Sequence, residues 1–494
     1  MTENGDEDDD GPGAQRLCAT CIGEPFLKKI VRKEGEVAPC GFCSRGKGRT
    51  FSLEQLANRI EAAFADHYVR TSDQPDEMES LAQRHGGRDW YRHGEPVNEA
   101  IQMAALIDEP PATVIATILA ARHNTFVTGD PEEEQEFDAE SYYERLEVTE
   151  DDHFHDDWAR FERSLKSETR FFSRTAEAVL SDIFSGIGEA RTRHGSSVIR
   201  DAGPGTALTH LFRARTFQSQ ERLKHALGRP DLEVGPPPSL LAHPGRMNAR
   251  GVPVFYGATD ERIAIAEVRP PVGADVILAQ FEIVRPLRLL DVAALGTVFV
   301  EGSIFDPTLA GRSKRAVFLQ TLSTRISRPV MPDAEDFEYL VTQVMADYLA
   351  DHPDLDLDGI LFPSVQSRTK GANVILFHKA SRTALLDLPE GTRFETWKYA
   401  GYDPEEPEPT PPEWTVTEET PKLPASIDPV FHDPVDRLPS SITESWFDED
   451  SDPRPITLEI DPNSLAVHHV TGVRFTTSKA AVHRTRLLKT EPDF

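Results

Sequence analysis

Near residue 205 the sequence changes from long helical patterns to short runs of strand-forming residues with helices between them. The runs are VPVFYGAT, ADVILAQFEIV, LRLLDVA, DGILFPS and GANVILFH, and short apolar runs of this kind are typical of buried strands. DERIAIAEV, which Asp260 is placed to cap, and DAEDFEYLVTQVMADYLADH repeat their apolar residues at helical intervals. Strands that alternate with helices in this way predict a separate α+β domain over residues 205–395.

All four cysteines lie in the first 43 residues, as the pairs Cys18-x2-Cys21 and Cys40-x2-Cys43. Eighteen residues separate the two pairs, a spacing typical of zinc ribbons, in which each pair points two thiolates at one tetrahedral ion. We predict a small zinc ribbon-like module over residues 17–50, in which the metal is structural because no coordination position stays open. Four free thiols are the alternative.

The residues after this module have helical periodicity. FSLEQLANRIEAAFADHY predicts a helix that begins at Ser52, whose hydroxyl and the nearby Glu54 carboxylate could serve its first turn. Helical spacing returns near 97–122 and 154–190, and the acidic loop DPEEEQEFDAE lies between these stretches. The pattern predicts an all-helical segment over residues 51–200 with a structural or regulatory role.

Acidic and proline-rich segments flank these regions. GDEDDDGPG has no apolar residue that could anchor a packed element, so we expect residues 1–16 to form a disordered acidic tail. YDPEEPEPTPPEWTVTEETPKLP predicts a linker over residues 400–425. RPITLEI and HHVTGVRFTTS give residues 426–494 strand character, and they could pack on the preceding domain or form a β appendage of their own.

The net charge of −30 argues against nucleic acid or an anionic membrane as a partner, since both repel an acidic protein. No apolar run approaches the length of about eighteen residues that a membrane span needs, and MTENGDEDDDGPGAQ is unlike a signal peptide. We therefore expect a soluble, cytoplasmic protein.

The segment HPGRMNARGVPVFYGATDERIAIAEVRP groups side chains that suit a dinucleotide. Arg246 and Asn248 lie in a glycine-bracketed loop, Tyr256 ends a strand, and Glu267 lies on the next helix. Arginine can bond phosphate oxygens, tyrosine can stack on a base or a nicotinamide ring, and a carboxylate can stabilise a positively charged ribose. Each residue alone has an ordinary alternative as an ion-pair partner, a core tyrosine or a solvated carboxylate.

Two further motifs complete a family resemblance. LFRART contains Arg213, and DGILFPSVQS, which precedes the strand GANVILF, contains Ser364. With the segment above, they resemble in order and context the RES domain family, named after its arginine, glutamate and serine, whose members include NAD-degrading toxins of toxin–antitoxin pairs. The resemblance implies an ADP-ribosyltransferase-like fold, a cleft for NAD, and cleavage of the nicotinamide–ribose bond by water or phosphate.

The resemblance also implies roles for individual residues. Arg213 and Arg246 would hold phosphates, with Asn248 beside them at the cofactor. Tyr256 would stack near nicotinamide and Glu267 would contact the ribose. The Ser364 hydroxyl would bond a phosphate or the incoming nucleophile. Where many members have a tryptophan after the loop arginine, this chain has Met247, a change in packing.

The paired cysteines and the helices after them resemble an HEPN-like extension that precedes some RES domains. Members of the wider HEPN class can cut RNA with an arginine and a histidine. Arg88 and His93 are the nearest candidates here, but their interval is shorter than that class prefers, so a helical scaffold is the favoured interpretation.

The resemblance implies an enzyme, an NAD glycohydrolase or NAD phosphorylase that acts as a toxin or defence effector by depleting NAD. By the same resemblance, an antitoxin or another regulatory protein would be its partner. One alternative is a macromolecular ADP-ribosyltransferase with the same cleft. Another is a non-catalytic module that binds NAD or a partner, although the presence of every candidate residue argues against it.

Overall fold

The computed structural model describes residues 12–86, 90–123, 134–147, 152–328, 330–331, 334–364, 371–399, 413–420, 452–474 and 477–484. In these residues the helices are α1 Pro25–Glu34, α2 Leu53–His67, α3 Glu77–Gly86, α4 Val97–Ala105, α5 Glu109–His123, α6 Asp152–Ser167, α7 Arg174–Phe184, α8 Gln220–Gly228, α9 Pro230–Glu233, α10 Glu261–Glu267, α11 Val292–Leu295, α12 Leu309–Ser327 and α13 Glu335–Asp351. The strands are β1 Arg16–Cys18, β2 Glu36–Pro39, β3 Lys47–Ser52, β4 Tyr68–Arg70, β5 Glu95–Pro96, β6 Tyr142–Arg145, β7 Ile199–Ala202, β8 His210–Phe217, β9 Phe255–Ala258, β10 Asp275–Ile283, β11 Leu287–Asp291, β12 Gly359–Pro363, β13 Ala372–Leu376, β14 Arg393–Tyr399, β15 Glu413–Glu419, β16 Leu458–Ile460 and β17 Ala466–His469.

The chain divides into two compact units. The first comprises Met1–Val198 with Ala294–Arg325, and the second comprises Ile199–Ala293 with Ile326–Phe494. Helices and strands are both abundant, which confirms the predicted α+β class.

The first unit begins with an antiparallel sheet in the order β1-β3-β2. Helix α2 follows at once, and its start is fixed by a reciprocal pair: the Gln55 amide donates to the Ser52 hydroxyl, and the Gln55 side chain accepts from the Ser52 amide. Ser52 therefore caps the helix as predicted, but its partner is Gln55, since Glu54 pairs with Arg122 instead. The apolar faces of α2, α4 and α5 form the centre of this unit's core, with Leu56, Ile101 and Ile115 fully buried.

One expectation for this unit is wrong. Residues 51–200 are not all helical, because β4, β6 and β5 form a three-stranded antiparallel sheet. Its middle strand contributes Tyr143, whose ring lies 5.2 Å from that of Phe64 on α2 and 5.2 Å from that of Phe137. Aromatic packing thus stabilises strands that are too short to be recognised from their sequence pattern.

Taken singly, none of the described helices is both long and apolar enough to cross a membrane. Only α4 and α5 counted together pass by length and composition, and they are bent by 118°.

The second unit is built on a nine-stranded sheet in the order β16-β10-β8-β9-β13-β12-β11-β7, with β17 also paired to β10. Only β11 and β12 are parallel neighbours; the other described pairs in this sheet are antiparallel. The Asp260 carboxylate accepts from the Arg262 amide and caps α10 as predicted. Two apolar clusters cover the sheet, one that contains Val374 and Leu376 and a smaller one around Ile263 on α10.

The described C-terminal strands belong to the main sheet and do not form a separate appendage. Strands β16 and β17 pair with β10 and extend the main sheet, which settles the open alternative in favour of packing on the preceding domain. Leu458 and Ile460 are buried in the larger cluster.

The acidic segment at 400–425 also contains a strand. Residues 413–419 form β15, which pairs with β14 in an antiparallel hairpin. Trp414 and Val416 alternate with polar residues and pack against the larger apolar cluster, so this part of the segment buries one face despite its acidic surroundings.

Candidate functional site

A cleft of about 390 Å³ lies in the second unit beside strands β8, β9 and β13. Four residues predicted to act on NAD line it: Arg213, Arg246, Tyr256 and Glu267. Helices α10 and α13 supply further lining through Glu267 and Tyr339. The structure therefore brings together side chains as far apart in the sequence as Phe212 and Asn373.

Hydrogen bonds made by Tyr256 and Asn248 hold the loop that carries Arg246 in place. The Tyr256 hydroxyl donates to Asn248 Oδ1 at 2.8 Å and accepts from the Met247 amide at 3.2 Å. The Asn248 side-chain nitrogen in turn contacts the carbonyl oxygens of His243, at 3.0 Å, and of Val252. Asn248 is buried, and it is not among the residues that line the cleft. We therefore assign its amide to the loop rather than to ligand contact.

Gly245 is required where this loop passes the tyrosine. A Cβ atom at residue 245 would lie 2.4 Å from the Tyr256 hydroxyl oxygen and 2.6 Å from Asn248 Oδ1. Either distance is far below a van der Waals contact, so only glycine fits here without displacing the turn. Met247, which follows the loop arginine, is buried.

The guanidinium of Arg246 is itself held in place. It donates through Nη1 to the Ile326 carbonyl and through Nη2 to the Arg328 carbonyl, the latter at 2.6 Å. Helix α13 fixes the backbone below it, since the Thr342 hydroxyl donates to the Arg246 carbonyl at 2.5 Å. An arginine has five N–H groups, so donors remain for a ligand in the cleft after these two bonds.

Arg213 brings a positive charge to the cleft. Its Nη1 donates to the Tyr256 carbonyl at 3.0 Å, and its guanidinium lies 5.0 Å from the centre of the Phe255 ring. None of the described carboxylates forms an ion pair with it. Burial, with a smaller effect from the neighbouring Arg215, lowers the pKa of Arg213 to about 10, so the side chain stays charged at neutral pH.

Glu267 is an exposed residue that lines the cleft. Its Oε1 accepts from Asn373 Nδ2 at 2.7 Å and from the Ser364 hydroxyl at 3.1 Å. Ser364 is thus joined to the other predicted residues through Glu267. Asn373 was not predicted, although the strand that carries it was, because an amide inside GANVILF has no distinguishing sequence pattern of its own.

Tyr339 and Arg269 are among the further lining residues that the sequence did not indicate. Tyr339 on α13 donates to Glu335 Oε1 at 3.1 Å, and burial, followed by the effect of Glu335, raises the pKa of its hydroxyl. Arg269 has a positive φ of 42°, an uncommon conformation that is found at functional sites. Arg269 lies within the AIAEVRP segment, and helical spacing predicted that Tyr339 lies on a helix. Neither pattern indicated that the residue lines a cleft.

The hydroxyl of Tyr256 stays protonated over a wide pH range. Burial is the main cause that raises its pKa to about 12, against the opposing effect of the bond to the Met247 amide. The Tyr256 side chain therefore acts as a neutral hydrogen-bonding group, with its ring at the cleft and its hydroxyl in the loop.

The four cysteines of the first unit come together. The Sγ atoms of Cys18 and Cys21 are 3.6 Å apart, those of Cys18 and Cys43 3.8 Å, and those of Cys21 and Cys40 4.0 Å. Ligands about 2.3 Å from a tetrahedral zinc ion lie about 3.8 Å from one another, so the cluster fits such an ion.

The thiols of the cluster differ in their pKa: burial is the main cause that raises the pKa of Cys21 and of Cys40. Burial raises the pKa of the Cys18 thiol, but hydrogen bonds from the backbone of Cys21 and Thr20 outweigh this effect and lower it to about 7. A thiolate is the form that binds metal.

The residues considered for RNA cleavage do not form a described site. Arg88 lies outside the described residues. His93 is 3.1 Å from Glu79 in an exposed ion pair.

Comparison with known proteins finds one matching family. The RES domain family model matches residues 210–399, which contain Arg213, Arg246, Tyr256, Glu267 and Ser364. No curated protein and no solved structure shows significant similarity to the chain. The match does not extend to the N-terminal residues, so the HEPN-like extension stays a prediction. Residues 210–399 are thus similar to the RES domain family.

Proposed function

We propose that this chain cleaves the bond between nicotinamide and ribose in NAD. RES domains are generally linked to NAD-related toxin activity, and residues 210–399 match that family. The observation that carries the proposal is the anchored carboxylate of Glu267, which lies in one cleft with the cation Arg213.

The arginines supply the sites for phosphate. NAD has two negatively charged phosphates, and Arg213 offers a charge that no described carboxylate neutralises. Arg246 adds a second cation, preoriented by its two carbonyl bonds. Guanidinium groups bond phosphate oxygens in a planar, charge-assisted geometry, and binding an anion would offset the unfavourable burial of Arg213.

Glu267 supplies the stabilisation that the reaction needs. Among the described residues, Ser364 and Asn373 both bond Oε1, so Oε2 would be the oxygen that meets the ribose hydroxyls. As nicotinamide leaves with the bonding electron pair, it becomes neutral and positive charge develops on the ribose. A fixed carboxylate stabilises that charge, and general-acid help to the leaving group is not required.

The acceptor is water or phosphate. Water would give ADP-ribose and phosphate would give ADP-ribose-1″-phosphate. Ser364 is not among the residues that line the cleft, but its hydroxyl bonds Glu267 and would bond the incoming nucleophile. We also propose that NAD depletion makes the protein a toxin or defence effector, restrained by an antitoxin or another regulatory protein.

The four cysteines would hold a structural zinc ion. The sulfur spacing supports this assignment. Such a closed four-thiolate site contributes to folding and takes no part in the cleavage.

The test is to incubate the purified chain with NAD, with and without phosphate, and to separate nicotinamide, ADP-ribose and ADP-ribose-1″-phosphate by chromatography. Glu267→Gln should abolish nicotinamide release with little change in thermal unfolding. Glu261→Gln is the matched control, since Glu261 is an exposed residue at the start of the same helix, and it should leave turnover intact.

Other results would redirect the assignment. Nicotinamide release that requires an added protein or nucleic acid would identify a macromolecular ADP-ribosyltransferase. Full activity of Glu267→Gln, or its loss together with a large fall in unfolding temperature, would contradict the catalytic role of the carboxylate.

A further inference from the structure

We propose that Asn373 is a positioning residue that orients the Glu267 carboxylate for catalysis. The inference rests on the proposed NAD cleavage, because it explains how the carboxylate of that reaction is held. Asn373 lies on β13 and Glu267 at the end of α10, so their contact joins two separate elements across the cleft.

The geometry is that of a fixed carboxylate. Asn373 Nδ2 lies 2.7 Å from Glu267 Oε1, and the Ser364 hydroxyl lies 3.1 Å from the same oxygen. Two donors on one oxygen restrict rotation of the carboxylate plane. Among the described residues both bonds are made to Oε1, which would leave Oε2 for the substrate.

The energetics indicate that this amide serves the site rather than the fold. Asn373 is 5% exposed, and its side-chain oxygen is buried without a hydrogen-bond partner among the described residues. Its neighbours Val374 and Ile375 are fully buried aliphatic residues. A buried amide with one unsatisfied atom is less favourable than an aliphatic side chain of similar size.

The same burial excludes a direct catalytic role for the amide oxygen. Because Oδ1 is buried, there is no room beside it for a substrate atom. Asn373 therefore acts through Glu267, and its effect should appear in the turnover step more than in substrate binding.

The first experiment replaces the amide. Asn373→Leu keeps the approximate volume and removes the donor. We expect kcat to fall about 10- to 100-fold, the range of a lost hydrogen bond to a charged group, with KM nearly unchanged and thermal stability equal or higher. Asn373→Asp should lower kcat further, because it places a second carboxylate against Glu267.

A double-mutant cycle separates positioning from a general structural effect. In a Glu267→Ala background, Asn373→Leu should cause no additional loss of the residual rate, because its target is absent. A further loss in that background, or a fall in kcat that parallels a lower unfolding temperature, would overturn the proposal.

A second measurement does not depend on turnover. The side-chain amide signal of Asn373, followed by NMR in selectively labelled full-length protein, should shift in Glu267→Gln and stay in place in Glu261→Gln. If the signal shifts as expected but the wild type does not cleave NAD, the contact stands and the proposed function fails. If the signal does not respond to Glu267→Gln, the positioning role fails whatever the turnover.

Discussion

Replacing Arg213 with methionine should stabilise the second unit while it removes anion binding. Burial lowers the pKa of this arginine from its ordinary value to about 10. Since one pKa unit corresponds to about 1.4 kcal/mol, keeping the guanidinium charged in the folded state costs about 3 kcal/mol. Because the folded pKa lies below the unfolded one, this cost is fully present below pH 10 and disappears as the pH rises through the ordinary pKa of arginine.

The gain from removing the charge is partly offset. Arg213→Met also loses the bond to the Tyr256 carbonyl, worth about 1 kcal/mol, and the contact with the Phe255 ring, worth about another 1 kcal/mol. The net expectation is an increase of about 1 kcal/mol in the free energy of unfolding. Urea unfolding measured at neutral pH can resolve a change of this size.

The second measurement is the binding of ADP-ribose. Isothermal titration with ADP-ribose, whose pyrophosphate is the expected partner of Arg213, should show binding to the wild type and none to Arg213→Met. Arg215→Met is the matched control: Arg215 is two residues away on the same strand and pairs with Glu233, so this variant should keep binding and lose a little stability.

One combination of results would refute the reasoning. If Arg213→Met lowers the free energy of unfolding by about 2 kcal/mol or more and still binds ADP-ribose, the arginine is a core element and not a preformed anion site.

Three further predictions concern the loop, the cysteines and the C-terminal segment. Tyr256→Phe should lower the free energy of unfolding by about 1 to 2 kcal/mol, because Asn248 Oδ1 loses its donor; an unchanged urea midpoint would argue against the loop contact. Cys40→Ser should lower the zinc content measured by mass spectrometry and destabilise the first unit, whereas one full equivalent of zinc would contradict a four-thiolate site. Interaction with Arg454 lowers the pKa of Asp452 to about 2, so the stability it contributes is present above about pH 4 and is lost as the pH falls toward 2; wild type and Asp452→Asn should differ in urea stability at pH 7 and converge near pH 2.

The sequence was most informative where one local segment carries the pattern. The run from His243 to Pro270 predicted a loop, a strand and a capped helix, and the structure contains the Arg246 loop, β9 and α10 in that order. Local periodicity and a capping aspartate are sufficient for such elements, because their formation depends mainly on neighbouring residues.

Features that depend on distant residues were missed. Asn373 acquires its significance only from Glu267, 106 positions earlier in the chain. Strands β4 and β5 have three and two residues, too few for any periodicity. Helix α12 mixes apolar and polar residues around its circumference, and β15 lies within a segment whose composition favours a linker. In each case packing against other elements overrides the local signal.

The pairing of β17 with β10 also affects the order of events during synthesis. His469 follows Asp275, with which it pairs, by 194 residues. At about 5 to 20 residues per second, a ribosome needs about 10 to 40 seconds to add them. Throughout that interval the outer edge of β10 lacks its partner strands, and an unpaired edge invites association with other chains. Chaperone dependence and aggregation of the nascent protein should therefore be most sensitive to substitutions in β10, which is synthesised long before β16 and β17 pair with it.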